Sequence, residues 1–212
     1  MSVNLSQLLP DYGDRAVFIG QTGCGKTTLA KYLISFFKHV VILDSKGTIK
    51  EKIKQWEGFK VHTKIDSLTA SSGNKLVYTP SAKALRSDNN GEIETFFDWV
   101  YWRKNTLLYV DEAQGGGVTT ATYIPLGYQD CIQRGREKGI MVFSATQRPS
   151  RLPQNILSEA DNFYIFRLQL PADCKKVEET TGIGKEKILA LPKQKFIVSR
   201  YGDNSQPLKL KL

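Results

Sequence analysis

The chain has 212 residues, room for one well-packed domain rather than two of ordinary size. Hydrophobic residues at 41% and charged residues at 24% exclude a disordered or fibrous chain, and no apolar run approaches the ~18–20 residues of a bilayer span. The net charge of +9 is spread evenly, 15 basic against 10 acidic residues through position 106 and 15 against 11 beyond it. That suits either a surface that meets a polyanion or a plain basic soluble protein.

In chain order, the N-terminal MSVNLSQLLPDYGD lacks the basic region and apolar core of a signal peptide, so an intracellular protein is expected. Arg15–Gly20 (RAVFIG) predicts a buried strand ending in glycine, and Lys26–Phe37, with Leu29, Leu33, Ile34 and Phe37 on one face, a helix. His39–Asp44 (HVVILD) predicts a second strand. Residues 47–57 read as a weak helix, Lys60–His62 and Leu76–Thr79 as short strands, Glu92–Lys104 as a helix and Asn105–Asp111 as a strong strand. After a loop with three consecutive glycines (Gln114–Val118), a helix is expected within 119–138 and a strand over Ile140–Ala145. Phe163–Leu170 and Phe196–Arg200 are predicted as later strands, with a helix near Ala172–Thr180. Continuous apolar strands alternating with helices predict an α/β fold with a mainly parallel sheet covered on both faces.

Residues 20–28, GQTGCGKTT, meet the pattern G-x-x-x-x-G-K-[ST] between a predicted strand and a predicted helix. Gly20, Gln21, Thr22, Gly23, Cys24, Gly25, Lys26, Thr27 and Thr28 are therefore candidate nucleotide ligands. The glycines permit turns that aim successive N–H groups at phosphate oxygens, and the helix start favours an anion. Lys26 is expected on the β- and γ-phosphates and the Thr27 hydroxyl on Mg²⁺. Cys24 sits at a variable loop position and receives no chemistry of its own. Cys24, Cys131 and Cys174 are too scattered for a disulfide framework, and with His39 and His62 they make no metal cluster.

Leu107–Val110 leads into Asp111 and Glu112, two carboxylates at a strand's C-terminal edge, where open α/β sheets bind ligands. Asp111 is assigned to Mg²⁺ and Glu112 to orienting and deprotonating the attacking water; an acidic turn is the structural alternative. Asp44 ends a strand without a second carboxylate and reads as a neighbour of the site or a turn former. Gln147, at the tip of the strand after Glu112, is a candidate γ-phosphate sensor. Arg134 and Arg136, in QRGREKGI, precede that strand and face away from the phosphate loop. They are candidates for a finger inserted into a neighbouring subunit's site, or solvated surface residues.

Taken together, GQTGCGKTT, VILDSKG, LLYVDEA, QRGREKGI and SATQRPSRLP resemble the FtsK–HerA superfamily of pumping ATPases over roughly residues 14–201. The later segments FYIFRLQLPADCKKVEETTG and ILALPKQKFIVSRYGD are similar to that family's closing strands and helix. The resemblance implies a P-loop NTPase with a RecA-like (ASCE) sheet and a single motor domain over 1–212. It also implies ATP and Mg²⁺ as cofactors, double-stranded DNA as partner, and a homo-oligomeric ring, a hexamer. A bare motor of this kind looks like the genome-packaging ATPases of viruses with internal membranes, notably turreted icosahedral viruses of archaea. That implies capsid or internal-membrane proteins as partners and a place in the host cytoplasm or the virion. The alternatives are a cellular-type DNA pump or helicase, a nucleotide kinase and a non-hydrolysing nucleotide-dependent assembly protein. The aromatic helix Phe96, Phe97, Trp99, Tyr101 and Trp102 reads as core packing before base stacking, and Ser71–Lys75 and Gly115–Thr120 as candidate channel loops.

Overall fold

The computed structural model describes residues 8–86, 91–115, 117–200 and 202–209. Gly116 of the glycine loop, and the parts of the 1–212 and 14–201 ranges at 1–7, 87–90, 201 and 210–212, lie outside the described residues. The elements run β1 (Arg15–Ile19), α1 (Lys26–Ile34), β2 (Val40–Asp44), α2 (Thr48–Glu51), β3 (Lys60–His62), α3 (Ile65–Thr69), β4 (Lys75–Tyr78) and α4 (Ala82–Arg86). They continue with α5 (Gly91–Arg103), β5 (Leu107–Asp111), α6 (Leu126–Arg134), β6 (Met141–Thr146), α7 (Gln154–Ser158), β7 (Asn162–Phe166), α8 (Pro171–Thr181) and α9 (Lys185–Ala190). β8 (Lys195–Arg200), β9 (Asp203–Asn204) and β10 (Leu208–Lys209) close the described chain.

All these strands join one sheet of order β10-β8-β7-β1-β6-β5-β2-β4-β3, with β9 beside β8. From β7 to β3 every pairing is parallel, and β8 adds an antiparallel margin that also pairs with β9 and β10. One strand, β6, separates β1 from β5, as a RecA-like sheet requires. The parallel registers bring the strands' C-terminal ends level: Ile19 lies opposite Thr146, Val110 opposite Ser144, and Asp44 opposite Asp111.

Strand periodicity of two divides the core into two layers. Val17, Ile19, Leu108 and Val110 face Phe96, Phe97, Tyr128 and Val177 of α5, α6 and α8, whereas Ala16, Phe18, Leu107 and Tyr109 share the other layer with Leu29, Leu33 and Ile34 of α1. The buried face of α5 is Ile93, Phe96, Phe97 and Val100, so its aromatic residues are chiefly packing. Trp102 is the exception, 69% exposed.

Several boundaries differ from the sequence expectation for local reasons. α1 stops at Ile34 rather than Phe37, and Ser35 turns its hydroxyl back onto the Tyr32 carbonyl. The helix expected within 119–138 is Leu126–Arg134, continued by a 3-10 turn over Gly135–Lys138. Pro125 holds an extended ψ of 138° there, and the first free amides of α6, Leu126 and Gly127, donate to the distant Glu94 carboxylate. The strand predicted over Phe163–Leu170 ends at Phe166, because Arg167 spends its carbonyl on the phosphate-loop amide of Gln21.

Candidate nucleotide and hydrolysis site

The phosphate loop leaves the end of β1 and folds into α1 without a side-chain cap on the helix N-terminus. Its tight course needs glycine at two points. Gly20 has φ +157°, and an added Cβ would lie 2.6 Å from Phe166 Cβ; Gly25 has φ +111°. Cys24 is buried and packs in the loop wall, where desolvation pushes its thiol pKa up, so it is an inert filler rather than a nucleophile. Lys26 is also buried, and its Nζ donates to the carbonyls of Gly20 (2.6 Å) and Gln21 (2.9 Å). Desolvation pulls the Lys26 pKa down, opposed by the negative charges of Glu112 and Asp111.

Both members of the acidic pair lie at the tip of β5. Asp111 Oδ1 accepts from the Tyr109 phenol at 2.8 Å, and Oδ2 lies 3.4 Å from the Thr48 hydroxyl. Burial raises the Asp111 pKa, and the Tyr109 hydrogen bond works against that rise. Glu112 takes φ +62°, unusual for a residue with a side chain, and this turns its carboxylate out of the strand direction. Four donors converge on it. Oε1 accepts from Gln114 Nε2 (2.7 Å) and the Gln147 amide (3.2 Å); Oε2 accepts from Gln147 Nε2 (2.6 Å) and Lys46 Nζ (2.9 Å). Desolvation pushes the Glu112 pKa up, but the bonds from Gln114, Lys46 and Gln147 outweigh it, and the carboxyl lies below its ordinary value.

Gln147 follows β6 directly, and the Thr22 hydroxyl of the phosphate loop donates to its Oε1 at 2.7 Å. A single amide thus ties the loop to Glu112. Lys26, Thr27, Asp111, Glu112 and Gln147 all gather at one edge of the sheet, as expected from the sequence. Asp44 is a turn former there: its Oδ2 accepts the amides of Ile49 (3.0 Å) and Lys50 (2.8 Å) at the start of α2.

Arg134 and Arg136 lie at the opposite edge, before β6 begins, a strand's length of ~17–20 Å from the loop. They differ sharply. Arg134 is 72% exposed and, among the described residues, pairs with Asp130 at 3.3 Å. Arg136 bridges Asp161 (3.0 Å) and the buried Asp14 (3.5 Å) at the roots of β7 and β1. Ser71–Lys75, one candidate channel loop, also precedes its strand at this far edge.

Sequence reasoning passed over Lys46, Gln114 and Tyr109. Lys46 stands just beyond β2, and only the strand order, with β2 beside β5, brings it to Glu112.

The sheet order and this constellation define a P-loop ATPase of the RecA-like class. No family model matches the chain. Among known proteins it is similar to the DNA packaging ATPase P9 of Enterobacteria phage PRD1, 27% identical over 188 residues, covering 87% of this chain and 77% of the relative. Its fold is also that of the genome packaging NTPase B204 from Sulfolobus turreted icosahedral virus 2, solved with ATPγS, at a TM-score of 0.76 and 18% identity over 96% of this chain and 100% of the other. VirB4 of Thermoanaerobacter pseudethanolicus matches at a TM-score of 0.69 and 10% identity, over 99% and 93% of the two chains. The resemblance to packaging ATPases of FtsK–HerA type read from the motifs is borne out by these relatives.

Proposed function

We propose that this chain is an ATP-hydrolysing motor that drives double-stranded DNA, packaging a viral genome into a capsid. The observation that carries the hydrolytic part is the Thr22–Gln147–Glu112 chain, which links the phosphate loop to a carboxylate poised to act on water. The relationship to P9 carries the packaging part.

In this reading the amides of residues 20–28 and Lys26 hold the triphosphate, and Lys26 exchanges its two loop carbonyls for phosphate oxygens. The Thr27 hydroxyl and the Asp111 carboxylate are hard oxygen donors. Two protein oxygens beside a triphosphate suit Mg²⁺, which keeps its waters and shares phosphate oxygens. Bound there, the ion would neutralise charge on the β- and γ-phosphates. Glu112 receives two donors on each oxygen, which fills the roughly four acceptor positions of a carboxylate. Taking a proton from water therefore requires one donor to leave. Lys46 is the donor that fits, because its half-exposed ammonium is the one drawn toward an arriving γ-phosphate.

Arg134 and Arg136 stand too far from their own loop to serve it, so either acts only across a subunit boundary. We assign that role to Arg134, since Arg136 is engaged with Asp14 and Asp161. A homo-oligomeric ring, a hexamer by resemblance, follows from that arrangement, with 1–212 as one motor domain. No helix among the described residues is long and apolar enough to cross a membrane. The proposed setting is the host cytoplasm or the virion, with capsid or internal-membrane proteins as partners.

The deciding measurement is phosphate release from Mg·ATP with and without double-stranded DNA at several salt concentrations. Duplex should raise the rate, and the stimulation should fade steeply as salt displaces phosphate contacts. A rate indifferent to duplex, or phosphate transferred to a nucleoside monophosphate instead of water, would sink the motor reading.

A further inference from the structure

Tyr109 stands inside the strand that carries the acidic pair, and the motif asks nothing of its side chain. It lies two residues before Asp111, so strand periodicity turns both side chains to the face of β5 that α1 covers, where Thr27 sits in the first helical turn. The ring is fully buried in the layer that holds Phe18 and Leu29. A phenylalanine would fill that space equally well. Packing does not call for the hydroxyl, and a buried hydroxyl is costly unless bonded.

That hydroxyl donates to Asp111 Oδ1 at 2.8 Å. The phenol has one proton, and the carboxylate, which only accepts, takes it. With Oδ1 committed, Asp111 has Oδ2 for the site, beside the Thr48 hydroxyl.

We propose that Tyr109 is a positioning residue for the metal, fixing from beneath the site which oxygen of Asp111 faces the ion. The proposal rests on the reading above that Asp111 helps to hold Mg²⁺. Partners that orient metal ligands in this way typically change metal affinity by about 10–100-fold when removed.

The test is Tyr109→Phe in the full chain. Mn²⁺ binding is titrated in the presence of a non-hydrolysable ATP analogue and read by the electron paramagnetic resonance of free Mn²⁺. The Mn²⁺ dissociation constant should rise about tenfold or more, while the analogue binds in EDTA as tightly as to the wild type. Turnover should recover as Mg²⁺ is raised. Wild-type Mn²⁺ affinity in the variant would overturn the proposal, and so would an equal loss of analogue binding with and without metal. If the wild type itself binds the analogue no better with metal than in EDTA, the assignment of Thr27 and Asp111 fails first, and the proposal with it. Should the variant not fold, wild-type protein labelled at tyrosine ¹³Cζ gives an independent reading. The Tyr109 resonance should move when Mg²⁺ joins the nucleotide complex, and a stationary resonance would overturn the positioning role.

Discussion

Replacing Arg136 with alanine should destabilise the protein, whereas replacing Arg134 should stop turnover and leave stability alone. The guanidinium of Arg136 is half-exposed, so its bridges to Asp161 at 3.0 Å and Asp14 at 3.5 Å are discounted for solvent. Asp14 keeps the Asp11 amide at 3.0 Å and Asn162 Nδ2 at 2.8 Å, and no buried charge is stranded when Arg136 goes. The two bridges together are then worth about 1–2 kcal/mol. In a chain of this size that lowers Tm by ~2–8 °C. Among the described residues Arg134 pairs with Asp130, one turn away on the helix surface, and its loss should not move Tm measurably. If it reaches a neighbour's γ-phosphate, turnover should fall about 10³-fold or more while nucleotide binding persists. Thermal unfolding by circular dichroism and steady-state phosphate release measure the two effects. Mixing Arg134→Ala with Glu112→Gln subunits should restore part of the activity, because some interfaces then pair an intact arginine with an intact glutamate. The reasoning is refuted if Arg136→Ala keeps the wild-type Tm but loses turnover, or if no mixing ratio restores activity.

Lys26→Ala removes the cation that a triphosphate would draw from the carbonyls of Gly20 and Gln21, and should abolish nucleotide binding or turnover; a calorimetric titration showing wild-type affinity, with normal turnover, would refute the site. Lys46→Ala bears on the pH profile. Glu112 acts as a base only when ionised, and Lys46 is among the groups that hold its pKa down against desolvation. Without Lys46 that pKa rises, so the acid limb of kcat/KM, which reports the nucleotide-free enzyme, should move to higher pH. An unmoved or lowered acid limb would show that Lys46 does not govern Glu112.

The sequence made legible whatever depends on neighbours along the chain. Gly20, Gly25, Lys26 and Thr27 form one continuous loop, and Asp111, Glu112 and Gln147 each sit at a strand tip that an apolar run announces. The order β1-β6-β5-β2 was not readable in residues, and the contacts that complete the site depend on it. Lys46 reaches Glu112 only because β2 adjoins β5, with Asp44 opposite Asp111. Period two alone would have set Tyr109 on the Asp111 face, but its burial beneath α1 needs the placement of that helix on the sheet. Where α6 starts within 119–138 was not readable, because that start is set by Glu94 of another helix, a partner that no local pattern reveals. The two arginines, alike on paper, separate once Asp14 and Asp161 are seen beside one of them.

Glu112 shows why these later contacts matter. At φ +62° a side chain with a Cβ pays roughly 1–2 kcal/mol in backbone energy, and the surroundings must hold it there. Ala113, the next residue, donates its amide to the Ala145 carbonyl at 2.7 Å, which locks the chain onto β6 immediately after the turn. Had β5 continued straight, alternation would have sent the Glu112 side chain to the face opposite Asp111 and Thr27. The left-handed turn instead swings its carboxylate toward the cleft at the strand ends, within reach of Lys46 beyond β2 on one side and Gln147 beyond β6 on the other. Two adjacent carboxylates on one strand can thus do different work, one turned down to the phosphate-loop helix and the other between the flanking strands. A glycine at 112 would relieve the strain and a straight strand would avoid it. Neither would place a carboxylate between Lys46 and Gln147.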